Sequence, residues 1–308
     1  MSSAIPIRPN TFLIGAPKCG TTTVAQTLAQ HSEVFLPFPK EPGYFASDLQ
    51  SKNVTRVTDE REYLNLFSRA PDNAKCRLDA SVNYLYSRVA VKEILRSIPN
   101  AKFIVILRNP VDQVIAQHQE QVFNQNENIR DFWSAWQMQG KRAKGLLVPM
   151  KCSDPKKLLY RERSSLGDQL ERCSALIPAE RLFVRFLEDL STDPETFYRE
   201  LQSFLSLNYE SLDLSVRAKT ARDQRFPMVA RLLQNSPPWS KPAVRWFKKH
   251  LSNNRLTSKD GLVRLLLVKT ASKPHLTTDQ RQILQQAFES QILKLEKITQ
   301  RDLDHWKS

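Results

Sequence analysis

The chain alternates short apolar runs with stretches of helical spacing. TFLIGA (Thr11–Ala16) is a continuous apolar run ending in glycine and then alanine, the pattern of a strand buried on both faces of a parallel sheet. TTTVAQTLAQH follows, with Val24, Leu28 and His31 on one helical face. Together they read as a strand, a glycine-bearing turn and a helix. KCRLDAS (Lys75–Ser81) reads as a second strand. SRVAVKEILRSI reads as a helix leading through Pro99 and Asn100 into KFIVIL, the clearest buried strand in the chain. RLFVRF (Arg181–Phe186) is another strand, and Pro194 starts a helix through ETFYRELQSFL. A last helix, beginning TTDQRQ, carries Leu284, Phe288, Ile292 and Leu295 on its apolar face. Strands alternating with helices predict an α/β protein: a P-loop-like three-layer fold with a mainly parallel central sheet flanked by helices.

A length of 308 residues suits one large α/β domain or two modest ones; a single domain over 1–308 is expected. Residues 235–274 break the pattern with Pro237-Pro238, two tryptophans and many basic residues. They could form a basic lid, an acceptor-binding insertion, or an amphipathic helix packed on the domain. No apolar run approaches the roughly 18 residues of a membrane span, and MSSAIPIRPN lacks the apolar core of a signal peptide. A cytoplasmic chain without stable membrane insertion is expected. The cysteines (Cys19, Cys76, Cys152, Cys173) and the scattered histidines show no metal-ligand spacing, so no metal is expected. A formal net charge of +14 favours polyanionic partners such as nucleic acid, acidic polysaccharide, anionic lipid or a multiply charged nucleotide.

The turn after the first strand narrows that list. GAPKCGTTT keeps the glycine spacing of a Walker loop at Gly15 and Gly20, but Thr21 occupies the lysine slot and Lys18 sits inside the loop. Amides at a helix start, with the positive end of its dipole, make a site for a phosphate. An ATPase also needs a carboxylate on a second strand to hold magnesium. Here KFIVILRNP ends in Arg108, a cation that binds another anion instead. The pair of motifs suits a ligand with two separated anionic groups, handled without magnesium.

At these residues the chain resembles the sulfotransferases that use 3′-phosphoadenosine 5′-phosphosulfate (PAPS) and release 3′,5′-adenosine bisphosphate (PAP), in their carbohydrate-type and bacterial branch. GAPKCGTTT is similar to the family's 5′-phosphosulfate loop P-K-x-G-T-T, and VILRNPVDQVIAQHQEQ to its 3′-phosphate motif R-N-P-x-x-R-A-x-S. PKEPGYF, DASVNYLY, RFLEDLSTDP and RDLDHW match in the same order along nearly the whole chain.

The resemblance implies a site, residue by residue. Pro17, Lys18, Cys19, Gly20, Thr21, Thr22 and Thr23 would form the 5′-phosphate loop, with Lys18 beside the oxygen that bridges phosphate and sulfuryl group. Glu41 in KEPGYF matches the branch's general base; Asp79 and His118 are the other candidates. Arg108 would grip the 3′-phosphate. The motif's serine is replaced by Ala116 and its second arginine by Gln113, so donor binding is expected to be weak unless Gln113, Gln117 or a distant cation substitutes. Arg217, Lys219, Arg222 and Arg225 are candidates for that distant contact. Lys40, Tyr44, Phe45, Tyr84 and His118 are candidates for acceptor binding, and Trp133 and Trp136 could line the cleft. The partner implied is a small-molecule or carbohydrate acceptor, not nucleic acid, for a monomer or homodimer. Two competing readings stay open: a non-catalytic binder of nucleotide or polyanion, and a P-loop kinase.

Overall fold

A computed structural model describes residues 7–49, 56–215, 222–224, 268–270 and 276–307. Five parallel strands form the central sheet: β1 (Thr11–Gly15), β2 (Val34–Phe35), β3 (Cys76–Asp79), β4 (Lys102–Leu107) and β5 (Leu182–Phe186), in the order β2-β3-β1-β4-β5. The runs expected as strands are all present. The two-residue β2 lies in a short apolar run that ends at Pro37 and is set by pairing with β3 through Val34–Cys76 and Phe35–Arg77. β1 is central, bonded to β3 on one side and β4 on the other, and all its residues are buried. The chain leaves β1 towards β2 and leaves β4 the other way, towards β5. Right-handed crossovers in opposite directions put helices on both faces and create a switch point at the carboxyl ends of β1 and β4.

Flanking helices are α1 (Thr21–Leu28), α2 (Glu60–Asn65), α3 (Ala90–Ser97), α4 (Pro110–Phe123), α5 (Phe132–Gln137), α6 (Gln139–Ala143), α7 (Tyr160–Arg163), α8 (Leu166–Ser174), α9 (Leu187–Thr192), α10 (Pro194–Leu205) and α11 (Thr278–Thr299). Proline starts α4 and α10 at the position where its missing N–H costs nothing. A reciprocal capping box of Thr277 and Gln280 starts α11. The expected face of α11 is buried, but in two places. Ile292 and Leu295 join the sheet core, whereas Leu284 and Phe288 join a second cluster with Val111, Val114, Phe132 and Tyr160. Two further short strands, β6 (Arg222–Gln224) and β7 (Val268–Thr270), pair antiparallel, and β6 runs beside α4. The rest of the expected insertion at 235–274 lies outside the described residues, as do Arg217, Lys219 and Arg225. No described helix is long and apolar enough to cross a membrane.

The second cluster encloses an ion pair. Arg142 donates to both carboxylate oxygens of Glu127, one of them at 2.7 Å, and both side chains are fully buried. The Tyr160 hydroxyl also donates to Glu127 (2.8 Å), as do the amides of Asn128 and Ile129. Removing one member strands the other charge in the interior, typically costing about 3–5 kcal/mol. Arg142→Met is therefore expected to lower the urea-unfolding free energy by about that amount; a loss under ~1 kcal/mol would show that the pair carries little.

Candidate active site

Ala16 donates from its backbone to Ile106 of β4 at 2.7 Å, tying the loop to the neighbouring strand. Gly20 then holds φ 80° at the start of α1 and offers no side-chain cap. A Cβ there would lie 2.7 Å from Leu187 Cδ1, which would have to shift, and the left-handed φ strains any other residue. The first amides of α1, from Thr21 to Thr23, lack acceptors within the helix, and the hydroxyl of Thr23 is enclosed without a hydrogen-bond partner among the described residues. These are unused donors at a helix start, the chemistry of an anion site. Lys18 itself adopts φ 68°, a left-handed conformation that costs a side-chain-bearing residue roughly 1 kcal/mol.

Cys19 is fully buried, and burial pushes its thiol up to about 12 even though the charges of Arg108 and Lys18 both reach it and pull it down. The thiol stays protonated and serves as packing between two cations. One face of α4 looks onto the loop. Gln113 Nε2 donates to the carbonyl of Pro17 (3.1 Å), and Glu120 Oε1 lies 3.9 Å from Lys18 Nζ. Glu120 escaped the sequence reading, although it follows Gln113 and Gln117 at i, i+4, i+7 spacing. Arg108, at the end of β4, is bonded to Asp112 one turn along (3.2 Å). Gln113, a candidate to replace the missing 3′-phosphate contact, is occupied: its amide oxygen accepts from Ser164. Gln117 is 2% exposed, and its Nε2 has no partner among the described residues. Ala116 is half-buried beside it.

Asp79 and its surroundings correct several expectations. The carboxylate is fully buried and accepts from four donors: the Tyr63 hydroxyl (2.8 Å), the Tyr84 hydroxyl (3.0 Å), the Ser81 hydroxyl (2.6 Å) and the Ser81 amide (3.0 Å). It has no face left for an acceptor, so it positions structure rather than taking a proton from substrate. Through it the Lys40–Phe45 segment is fixed. Gly43 donates to Ser81 Oγ (2.9 Å), Phe45 to Tyr84 Oη (3.3 Å) and Ala80 to the Lys40 carbonyl (3.0 Å). Phe45 and Tyr84, expected to line an acceptor cleft, are core residues. Phe45 packs edge-on against Tyr63, and Tyr84 is fully buried. Tyr44 is half-buried and stacks on Tyr63 at 4.4 Å.

Glu41 remains exposed at the carboxyl edge of the sheet, ion-paired with Lys40. His118, by contrast, points into the second cluster. Its Nε2 bonds the Ile129 carbonyl (2.9 Å) between Phe132 and Tyr160, and burial holds its pKa below the ordinary histidine value. It is 1% exposed and cannot meet an acceptor. Trp133 and Trp136 pack partly buried against the same cluster. The backbone of Arg222 lies in β6, beside α4.

Glu296, Asp302 and Asp304 are the described carboxylates grouped closely enough to hold a metal ion. The ammonium of Lys307 already bonds Glu296 and Asp304.

Burial pushes Asp79 up to about 6, against hydrogen bonds from Ser81, Tyr63 and Tyr84 that pull it down. An unfolded aspartate titrates near ~3.9, so between these values the folded chain binds a proton that the unfolded chain releases. Stability from this group therefore rises as pH falls through 6 and is lost as pH rises. In thermal unfolding from pH 7 to pH 4, the wild-type chain should gain stability relative to Asp79→Asn; a constant difference would show that Asp79 titrates normally.

The sequence model of the sulfotransferase family matches residues 45–211, more than half of the chain. Among curated proteins, human bifunctional heparan sulfate N-deacetylase/N-sulfotransferase 3 is 25% identical over 205 residues, covering 65% of this chain and 22% of that protein. The N-deacetylase/N-sulfotransferase 1 of Xenopus tropicalis is 28% identical over 115 residues, covering 37% of this chain and 13% of that one. This chain thus spans about a fifth or less of the length of these relatives. The crystal structure of a sulfotransferase from Alicyclobacillus acidocaldarius superposes with a TM-score of 0.71 at 21% identity, over 98% of this chain and 100% of that one. With the parallel sheet and its helices matching in fold, and the family model matching over more than half its length, the chain belongs to the sulfotransferase family.

Proposed function

We propose that the protein moves a sulfuryl group from 3′-phosphoadenosine 5′-phosphosulfate to a hydroxyl or amine of a small molecule or carbohydrate, in line and without a metal. The observation that carries this reading is the loop at the switch point. It presents a run of unused helix-start donors and a lysine, one strand away from a strand-end arginine. In this reading the amides from Gly20 to Thr23 hold the 5′-phosphate and Arg108 holds the 3′-phosphate. Gln117, with a buried donor that nothing in the described structure uses, supplies the contact that Ala116 cannot.

The acceptor oxygen or nitrogen attacks sulfur, and the bond from sulfur to the bridging oxygen breaks. Its electron pair stays with the nucleotide's phosphate, and the acceptor's proton passes to Glu41. Lys18 stabilises the negative charge that gathers on the bridging oxygen. A fixed ammonium does this most where charge has developed furthest, at the transition state. Glu120, 3.9 Å from the ammonium, limits the lysine's swing. Glu41 is exposed and, among the described residues, tethered by Lys40, which leaves it free to turn towards an acceptor, unlike Asp79.

The replacement of the motif serine by Ala116, and the engagement of Arg108 by Asp112, favour a second reading. In it the chain binds the nucleotide without turning it over. Incubation with the sulfate donor and a mixed acceptor panel separates the two. Release of 3′,5′-adenosine bisphosphate with one or more acceptors is expected; donor binding with no release above background would support the binder. Glu41→Gln should lower turnover about 10²–10⁴-fold, the usual worth of a positioned base, with donor affinity unchanged; normal turnover would remove Glu41 from the role. Ala116→Ser should tighten the bisphosphate dissociation constant roughly tenfold, the value of one hydrogen bond to a charged group. Unchanged affinity in calorimetry would place the 3′-phosphate elsewhere.

A further inference from the structure

Arg163 ends α7 and is 8% exposed. One terminal nitrogen, Nη2, donates to the side-chain oxygen of Asn83 at 2.5 Å, and the guanidinium lies over the Tyr86 ring, 4.3 Å from its centroid. Its Nε is enclosed and has no hydrogen-bond partner among the described residues. No described carboxylate lies within ion-pair distance, which distinguishes it from the other buried arginine, Arg142, whose charge Glu127 meets directly. Nearby carboxylates are committed to other groups. Glu162 accepts from the Tyr86 hydroxyl (2.7 Å), Asp154 caps the amide of Lys156 (2.9 Å), and Glu120 lies towards Lys18.

A second cation, Lys157, is half-buried beside it and donates to Ser153 Oγ at 2.7 Å. The charges of Arg163 and Lys157 reach each other, and those of Glu120 and Asp154 reach both; burial lowers the pKa of each cation. The charge of Glu162 reaches Arg163 as well, but a buried guanidinium whose direct partners are a neutral amide and a ring, with no described carboxylate in contact, is an incompletely satisfied cation.

We propose that Arg163, backed by Asn83 and Tyr86 and flanked by Lys157, binds an anionic group on the acceptor, a carboxylate or a sulfate ester. A planar guanidinium suits such groups because its N–H bonds pair with two oxygens at once. The placement favours the acceptor over the donor. Asn83 and Tyr86 lie in the segment after β3, where Leu85 bonds back to Ile14 of β1 (2.8 Å) and Arg172 of α8 clamps the Leu85 carbonyl (2.7 Å). That segment adjoins the anion loop, yet the donor's two anionic groups are already met by the loop and by Arg108. Assigning the anion to the acceptor rests on the sulfotransferase reading; the anion site itself rests on the geometry.

Titration of the full chain, followed through the Arg163 Nε–H signal in 15N-arginine NMR, tests the proposal. The probes are inorganic sulfate against chloride at matched ionic strength, then methyl β-glucuronide against methyl β-glucoside, each with and without 3′,5′-adenosine bisphosphate. Saturable movement is expected with sulfate and with the glucuronide, little with the glucoside, and persistence when the bisphosphate is bound. Arg163→Gln should weaken glucuronide binding roughly ten- to a hundredfold, as loss of hydrogen bonds to a charged group does, with bisphosphate affinity unchanged. A signal that ignores sulfate, that moves equally with the glucoside, or from which the bisphosphate displaces sulfate overturns the proposal. Where Arg163→Gln does not fold, the signal is assigned through bonds and the wild-type titration decides. Saturable movement in a protein that never releases bisphosphate from the sulfate donor would leave the anion site standing and remove the sulfotransferase reading. Turnover with a silent Nε would do the reverse.

Discussion

Everything at the candidate site follows from the position of β1. Both of its edges are hydrogen-bonded, to β3 and to β4, and its side chains are buried. The chain therefore has to leave at the carboxyl end and turn at once into α1. Gly15 allows this because the segment after β3 packs directly on it: a Cβ there would lie 2.6 Å from Leu85. The same parallel arrangement brings the ends of β2, β3 and β4 to that edge, so the segments that carry Glu41, Asp79 and Arg108 emerge on the same side of the sheet as the loop. Ligands in open α/β sheets bind at this kind of switch point.

Charge is distributed along that edge by burial. Asp79 is enclosed and saturated by hydroxyls and an amide, which turns a candidate base into the fastening for the Lys40–Phe45 segment. Glu41, carried by that segment, stays exposed. Lys18 and Arg108 flank a protonated cysteine, so the loop presents positive charge without a thiolate to cancel it. Two acidic residues on the helix start and helix end, Asp112 and Glu120, temper the cations on either side.

The sheet was legible because its strands are continuous apolar runs and its helices begin at prolines and caps. β2 was not, since two residues held by pairing leave no periodic signal. At the site, the glycine spacing, the displaced lysine and the strand-end arginine could be read from local order alone. The roles of Asp79, Phe45, Tyr84 and His118 could not. Sequence shows that an aspartate or histidine is present, whereas its burial and its partners are set by contacts with Tyr63, Ser81 or Ile129. Arg163 was missed for a related reason: a charged residue on a helix usually faces water, and only the packing reveals one that does not. Glu120 was missed because its partner, Lys18, lies far away in sequence.

The central claim is that Lys18 acts on charge that forms during the reaction rather than on the resting ligand. The direct measurement compares Lys18→Ala with the wild-type protein in single-turnover rate and in donor affinity, using whichever acceptor releases the bisphosphate. Losing a group aimed at developing charge typically costs about 10²–10³-fold in rate. The account predicts a fall of that order with donor affinity little changed. Donor affinity falling by as much as the rate, or a rate that survives intact, would contradict it.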